Sequence, residues 1–300
     1  MTGPPVRRYR VAHRTAYSYS REVTNSYGRA YLTPRDLPGQ RLLTHHIRID
    51  PAPSDRSVGA DVYGNITSYF HVTTEHRALT VLGDSLVEVD TSARGSCTAA
   101  AEPWEKARPS SATEPLAVEF ALDLQPPEIT SEIVAYTAES LLPGRPLLDA
   151  VGELNTRVHT DFAYRSGATT VSTRVADVFA ARAGVCQDFA RLAVACLRSH
   201  GLAARYVSGY LATDPPPGKE RMVGADATHA WAAVWVPGAD GHDRTGRWID
   251  LDPTNDQFGD ERYIITAWGR DYADVPPLRG IIYTDAKDST ITVSVDVTEV

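Results

Sequence analysis

Hydrophobic and polar positions alternate with a period of two through the first part of the chain. The segments "YRVAHRTAYSYS", "LLTHHIRID" and "ITSYFHVTT" place apolar side chains on every second position. Between them lie "TPRDLPGQ", "PAPSDRS" and "YGN", whose Gly, Pro, Asn and Asp residues favour turns. The pattern predicts a β-sandwich or β-meander from Tyr9 to about Asp90. Over Thr98 to Pro115 the alternation gives way to Ala, Pro and charge, the composition of a linker or surface excursion. A boundary there divides the chain into a β-rich module, residues 1–105, and a second unit, residues 106–300.

The period then lengthens to that of a helix. "SEIVAYTAESLL" (Ser131 to Leu142), "LLDAVGELNTRVHTDF" (Leu147 to Phe162) and the shorter "RVADVFAARAG", with Thr173 as its cap, are expected helices. So is "AGVCQDFARLAVACLRSHG", where Val185, Phe189, Leu192, Ala193, Cys196 and Leu197 recur at helical spacing. Its helix is expected to start at Cys186 and stop at Gly201. Strand-like "ARYVSGYLA", "HAWAAVWV" and "RWIDLD" follow, then "ITAWGRDYADVPPLRG". The last run, "STITVSVDVTEV", carries Ile291, Val293, Val295 and Val297 on one face. Helices followed by an antiparallel sheet make the second unit α+β.

Composition narrows the function classes. Hydrophobic residues at 42% and charged residues at 23% are ordinary for a soluble protein of 300 residues. A formal charge of −8 without a long run of either sign weighs against a nucleic acid partner, which needs a basic face. The start of the chain lacks an apolar stretch of signal-peptide length and no window approaches a membrane span, so a cytoplasmic location without a membrane partner is expected. Cysteines at positions 97, 186 and 196 have neither the density of a disulfide scaffold nor the paired spacing of a zinc site, so reduced thiols and no metal or cofactor are expected. The sequon-like "NIT" at Asn65 is assigned no role.

The three thiols are not equivalent. Cys196 falls on the apolar stripe of its helix and is expected in the core, and Cys97 in "ARGSCTAA" has no visible partner. Cys186 opens the helix, where backbone N–H dipoles of the first turn favour an anion and hence a nucleophilic thiolate. A base for it is offered by His229, which begins the strand "HAWAAVWV" and shares a face with Trp231, Ala233 and Trp235. The turn-rich "PGADGHDRTG" joins this strand to "RWIDLD" as an antiparallel hairpin. If Val234 opposes Arg247, His229 faces Asp252 directly, close enough for a carboxylate to bond the imidazole. Asp250 has the same parity and stays open as the partner. The alternative is a set of unrelated residues, with Asp252 a turn former in "DPTND" and His229 a strand end.

The blocks "GVCQDFARLAVACLRSHGLAARYVSGY", "DATHAWAAVWV" and "WIDLDPTND", in this order, resemble the transglutaminase-like superfamily of papain-type thiol enzymes. "YLTPRDLPGQRLLTHHIRIDPAP" and "DVYGNITSYFHV" resemble the amino-terminal module of its bacterial members, and "AWGRDYADVPPLRG" their carboxy-terminal extension. The resemblance implies a papain-like core, a nucleophile helix packed on an antiparallel sheet, behind a sandwich-like β module. It also implies a catalytic Cys186, His229 and Asp252. The thiolate would attack an amide carbonyl to give a thioester, and water or an amine would take the acyl group. The oxyanion would be met by the backbone N–H of Cys186 and one further donor, for which Tyr164 in "FAYRSG" is the candidate. Animal members cross-link with calcium, but no EF-hand pattern or acidic cluster occurs here, so no metal is expected.

The expected function is therefore a cysteine protease or amidase acting on a peptide or protein substrate at amide or isopeptide bonds. The alternatives are a transglutaminase passing the acyl group of a protein glutamine to amines, and a noncatalytic peptide-binding protein on the same fold. In a further alternative, the first hundred residues carry a binding function that the core merely supports.

Overall fold

A computed structural model describes residues 6–90, 98–110, 115–213, 228–238 and 246–300. Cys97 lies outside them. The strands are β1 (Arg7–Ala30), β2 (Gln40–Asp50), β3 (Asp55–Ala60), β4 (Ile66–Val72), β5 (His76–Val89), β6 (Ala163–Tyr164), β7 (Ala183–Gly184), β8 (Ala204–Leu211), β9 (Thr228–Val236), β10 (Arg247–Asp252), β11 (Gln257–Phe258), β12 (Tyr263–Gly269), β13 (Leu278–Thr284) and β14 (Ser289–Glu299). The helices are α1 (Pro115–Ala121), α2 (Ser131–Ala138), α3 (Leu147–Asp161), α4 (Val175–Ala181) and α5 (Cys186–Ser199).

β1 is the spine of a seven-stranded sheet. Along one edge it pairs first with β5 and then with β4, and along the other with β14 and then β13. The two closing strands, grouped by sequence with the second unit, thus lie in the sheet of the first. Alternation explains the packing: Tyr9, Val11, His13 and Thr15 of β1 are all buried, every second residue. Tyr9 and Val11 join Val87, Val89, Val295 and Val297 against Tyr210, Ala212 and Ile264 of the second unit.

The second unit is a five-stranded antiparallel sheet in the order β11-β10-β9-β8-β12. α5 covers one face of it, packing Phe189, Leu192, Cys196 and Leu197 on Ala232, Val234 and Val236. Cys196 is fully buried, and burial pushes its thiol up to about 12, as suits a core residue. Gly201, at φ +77°, stops α5 as expected: its N–H bonds the carbonyl of Arg198 at 2.9 Å and that of Leu202 bonds Leu197 at 3.2 Å. Thr173 is not the cap of α4. Its hydroxyl accepts from the Thr170 N–H, while the first N–H of α4, on Val175, donates to Glu128 Oε2 at 2.8 Å. Glu128 comes from another segment, so the tertiary fold supplies this cap.

Two amides join the units along the outer edge of β12. Gln40 donates through Nε2 to the carbonyl of Ile265 and accepts its N–H through Oε1, both at 2.8 Å. Asn65 does the same to Trp268, at 2.8 and 3.0 Å. Each side chain presents the donor and acceptor a neighbouring strand would offer, which satisfies an otherwise open edge. Asn65 is fully buried in doing so.

Two outcomes are expected. Asn65→Ala leaves a buried N–H and C=O of Trp268 unpaired and should cost about 2 to 4 kcal/mol in urea unfolding. Residues 1–105 expressed alone leave one whole edge of β1 unpaired and should lack a cooperative unfolding transition by circular dichroism; a folded fragment would show that the closing strands are dispensable.

Candidate active site

Cys186 is held by the geometry just before it. Val185 is extended and caps α5, and the carboxylate of Asp188, three residues on, accepts the Val185 N–H at 2.9 Å and the Thr169 hydroxyl at 2.6 Å. A negative group there also suits the amino end of a helix. Asp188 is buried so closely under Gly184 that a Cβ on Gly184 would lie 2.7 Å from that of Asp188. Gly184 itself is tied in by the short parallel pairing of β6 and β7. The approach to the sulfur is therefore rigid.

His229 is the second residue of β9, opposite Gly209 of β8. A Cβ on Gly209 would strike the carbonyl oxygen of Ile264 at 2.1 Å and the Trp231 ring at 2.7 Å, so glycine leaves room for the indole beneath the imidazole. The two rings lie 5.9 Å apart, inclined at 30°. His229 Nε2 donates to Asp252 Oδ2 at 2.7 Å, and the imidazole lines one cavity with the Cys186 sulfur, which acts on its charge. Its strand-end position lets an imidazole rooted beside Trp231 meet a sulfur carried by the helix on the other face.

Asp252 is fully buried and fully engaged. Besides His229, its Oδ2 accepts Asn255 Nδ2 and the Tyr263 hydroxyl, each at 2.7 Å, and its Oδ1 accepts the backbone N–H of Thr254 at 2.9 Å and of Asn255 at 3.3 Å. The turn in "DPTND" thus serves the site: its backbone solvates the carboxylate. Burial opposes the charge of Asp252, yet the hydrogen bond and charge of His229, with Asn255 and Tyr263, hold it below the usual carboxylate range. Burial likewise opposes the imidazolium of His229, but the hydrogen bonds and charges of Asp252 and Cys186 outweigh it and push the pKa up to about 10.

The hairpin register differs from the expected one by two residues. Arg247 pairs with Val236 and Leu251 with Ala232, so Asp252 follows beside Trp231 and reaches His229 on the diagonal. A slip of two keeps every side chain on its face, which is why alternation does not reveal it. Asp250 opposes Ala233, and its charge acts on the buried Arg205.

Tyr164 stands at the rim, 57% exposed on β6, with its ring edge-on to Phe189. Tyr206, which the sequence did not single out, is only 2% exposed and packs in one cluster with Cys186. The Cys186 sulfur acts electrostatically on the hydroxyls of both tyrosines. Tyr210, four residues on, is buried elsewhere and bonds His13 at 3.2 Å. Tyr263 and Asn255 were also not anticipated; they reach Asp252 only because the chain after β10 folds back over it.

Cys186 and His229 open on a cavity of about 240 Å³ whose opposite wall comes from β1 and β14. Among the described residues no group of three or more His, Cys, Asp or Glu side chains is placed to hold a metal, and no helix is long and apolar enough to cross a membrane.

Residues 9–88 match the bacterial transglutaminase-like N-terminal region and residues 135–253 the transglutaminase-like superfamily. An uncharacterized protein of Mycobacterium tuberculosis is 61% identical over 292 residues, covering 97% of this chain and 92% of its own. One of Mycobacterium leprae is 33% identical over 299 residues, covering 97% and 98%. Among solved structures, that of a putative cysteine protease from Cytophaga hutchinsonii superposes with a TM-score of 0.75 at 16% identity, covering 99% of this chain and 91% of that one, which places the two in one fold. With both of its parts matched and near full-length relatives on record, the chain belongs to the transglutaminase-like superfamily, in its form with the bacterial amino-terminal region.

Proposed function

We propose that the protein is a thiol hydrolase of amide or isopeptide bonds, with Cys186 as nucleophile, His229 as base and acid, and Asp252 as its orienter. The observation that carries this is an imidazole that shares a cavity with a sulfur at a helix start and bonds a buried, fully hydrogen-bonded carboxylate. The pair works as imidazolium and thiolate, so the sulfur attacks the substrate carbonyl with its proton already on His229. The backbone N–H of Cys186, in the unpaired first turn of α5, meets the oxyanion, with the hydroxyl of Tyr206 or of Tyr164 as second donor. The amine leaves with the proton from His229, and a thioester remains on Cys186. Water, in vast excess over any amine, then attacks with His229 again as base, releasing a carboxylic acid and the free thiol. An amine using the same thioester would make the protein a transglutaminase.

Incubation with a peptide library, acid quench and mass spectrometry should find an acyl adduct on the Cys186 peptide, absent in Cys186→Ala. Product formed in the presence of a labelled amine should be the free acid; amide product would favour transfer. Asp252→Asn should lower turnover by roughly 10²- to 10⁴-fold by releasing the imidazole. Iodoacetamide should modify Cys186 faster than a model thiol at pH 6 to 7 and lose that advantage in His229→Ala; equal rates in the unaltered protein would sink the activated thiolate.

Stability should follow the same pair. The raised pKa of His229 contributes fully below its unfolded value of about 6.5 and is lost as pH rises through about 10. The lowered pKa of Asp252 contributes above its ordinary 3.8 and is lost as pH falls through the folded value. Urea midpoints should therefore be highest between about pH 4 and 6.5, with the alkaline decline flattened in Asp252→Asn.

A further inference from the structure

The face of β14 that seals the two units together does not end where the seal ends. Val295 and Val297 are buried against Tyr210 and Ile264, whereas Ile291 and Val293, on the same face, remain 58% and 47% exposed. Both line the cavity into which Cys186 and His229 open. An apolar strand face left in solvent within the reach of a nucleophile is costly unless something covers it during function.

The chemistry of the cavity says what that is. No Asp, Glu, Lys or Arg occurs among its described lining residues. Its buried titratable group on the β1 side, His13, is neutral: burial lowers its pKa to about 4, and its ring nitrogens are engaged with the Tyr210 hydroxyl at 3.2 Å and the Thr15 hydroxyl at 2.9 Å. A charged side chain entering here would lose hydration, and the one cation on the lining, the His229 imidazolium, is already paired with Asp252. An apolar one would be covered by Ile291, Val293 and Leu278. Tyr17 and Leu278 also border a second cavity, of about 140 Å³, faced by Tyr19, Tyr27 and Phe70 with Arg279 on its lining.

We propose that this cavity is the acyl-side specificity pocket of the enzyme, taking an uncharged, apolar or aromatic side chain attached next to the carbonyl that Cys186 attacks. The proposal rests on the thiol-hydrolase reading. It makes the last strand of the chain a specificity element, and it makes the preferred substrate a peptidyl amide with an apolar residue before the cut.

The test uses the whole protein and four N-acetylated amino-acid chloromethyl ketones that differ only in side chain: phenylalanine, leucine, glutamate and lysine. Rates of alkylation at Cys186, read by mass spectrometry and normalised to free cysteine, should be about tenfold or more higher for phenylalanine and leucine than for glutamate and lysine. Val293→Asp should reduce the phenylalanine-to-lysine ratio severalfold, and Val293→Lys should raise glutamate relative to phenylalanine. Equal normalised rates across the four reagents in the unaltered protein would overturn the proposal. So would a Val293→Asp protein that keeps the preference but sediments as a smaller species, since the exposed face would then be covered by a second copy. Failure of the thiol reading shows separately, as iodoacetamide reacting at Cys186 no faster than with a model thiol.

Discussion

The last strands of the chain pair with the first, and the rest of the molecule is arranged around that closure. β1 has both of its edges occupied along nearly their full length, by β4 and β5 on one side and β13 and β14 on the other. Everything between β5 and β13 is thereby inserted into one sheet and anchored to it at both ends. The inserted sheet is then fastened sideways, by the shared apolar cluster around Tyr210 and Ile264 and by the amides of Gln40 and Asn65 on the edge of β12. Because β1 also supplies His13 and Thr15 to the cavity, the closure builds one wall of the site while holding the fold together.

Within the inserted sheet the candidate site is built on one buried charge. A carboxylate without solvent is tolerable only when its lone pairs are satisfied, and Asp252 has the His229 ring, the Asn255 amide, the Tyr263 hydroxyl and two backbone N–H groups for that purpose. A charge so held is worth far more to an imidazolium than an exposed one, which is why His229 remains protonated well above the ordinary histidine range. Small residues make the geometry possible: Gly209 admits the indole of Trp231 under the ring, and Gly184 admits the carboxylate that fixes the start of α5.

The two described cysteines show how position alone separates chemistries. Both lie on α5, ten residues apart, and both pack beside apolar neighbours. Cys196 sits among Leu192, Leu197 and Val234, where burial suppresses its ionisation. Cys186 sits at the end of the helix that faces the cavity, with a histidine as partner. The apolar face of α5 secures the helix to the sheet, and that anchorage fixes the end of the helix that carries the sulfur.

The sequence by itself determined the periodicities, and with them the β-rich opening, the helix that begins at Cys186 and ends at Gly201, and the strands that carry His229 and Asp252. It also determined that His229 and Asp252 share a face, because parity follows from which residues are apolar. It did not determine the register, since a slip of two residues leaves that pattern unchanged. Nor could it show that Glu128 caps α4, that Asn65 replaces a neighbouring strand, or that Tyr206 and Tyr263 approach the site. The residues in each of those contacts lie far apart in sequence or on strands whose neighbours local pattern does not specify. Hydrophobic alternation tells each strand which face to bury; only the folded chain decides which strand lies beside it, and here that decision brought the final strand back to the first and set Ile291 and Val293 in the wall of the cavity that Cys186 lines.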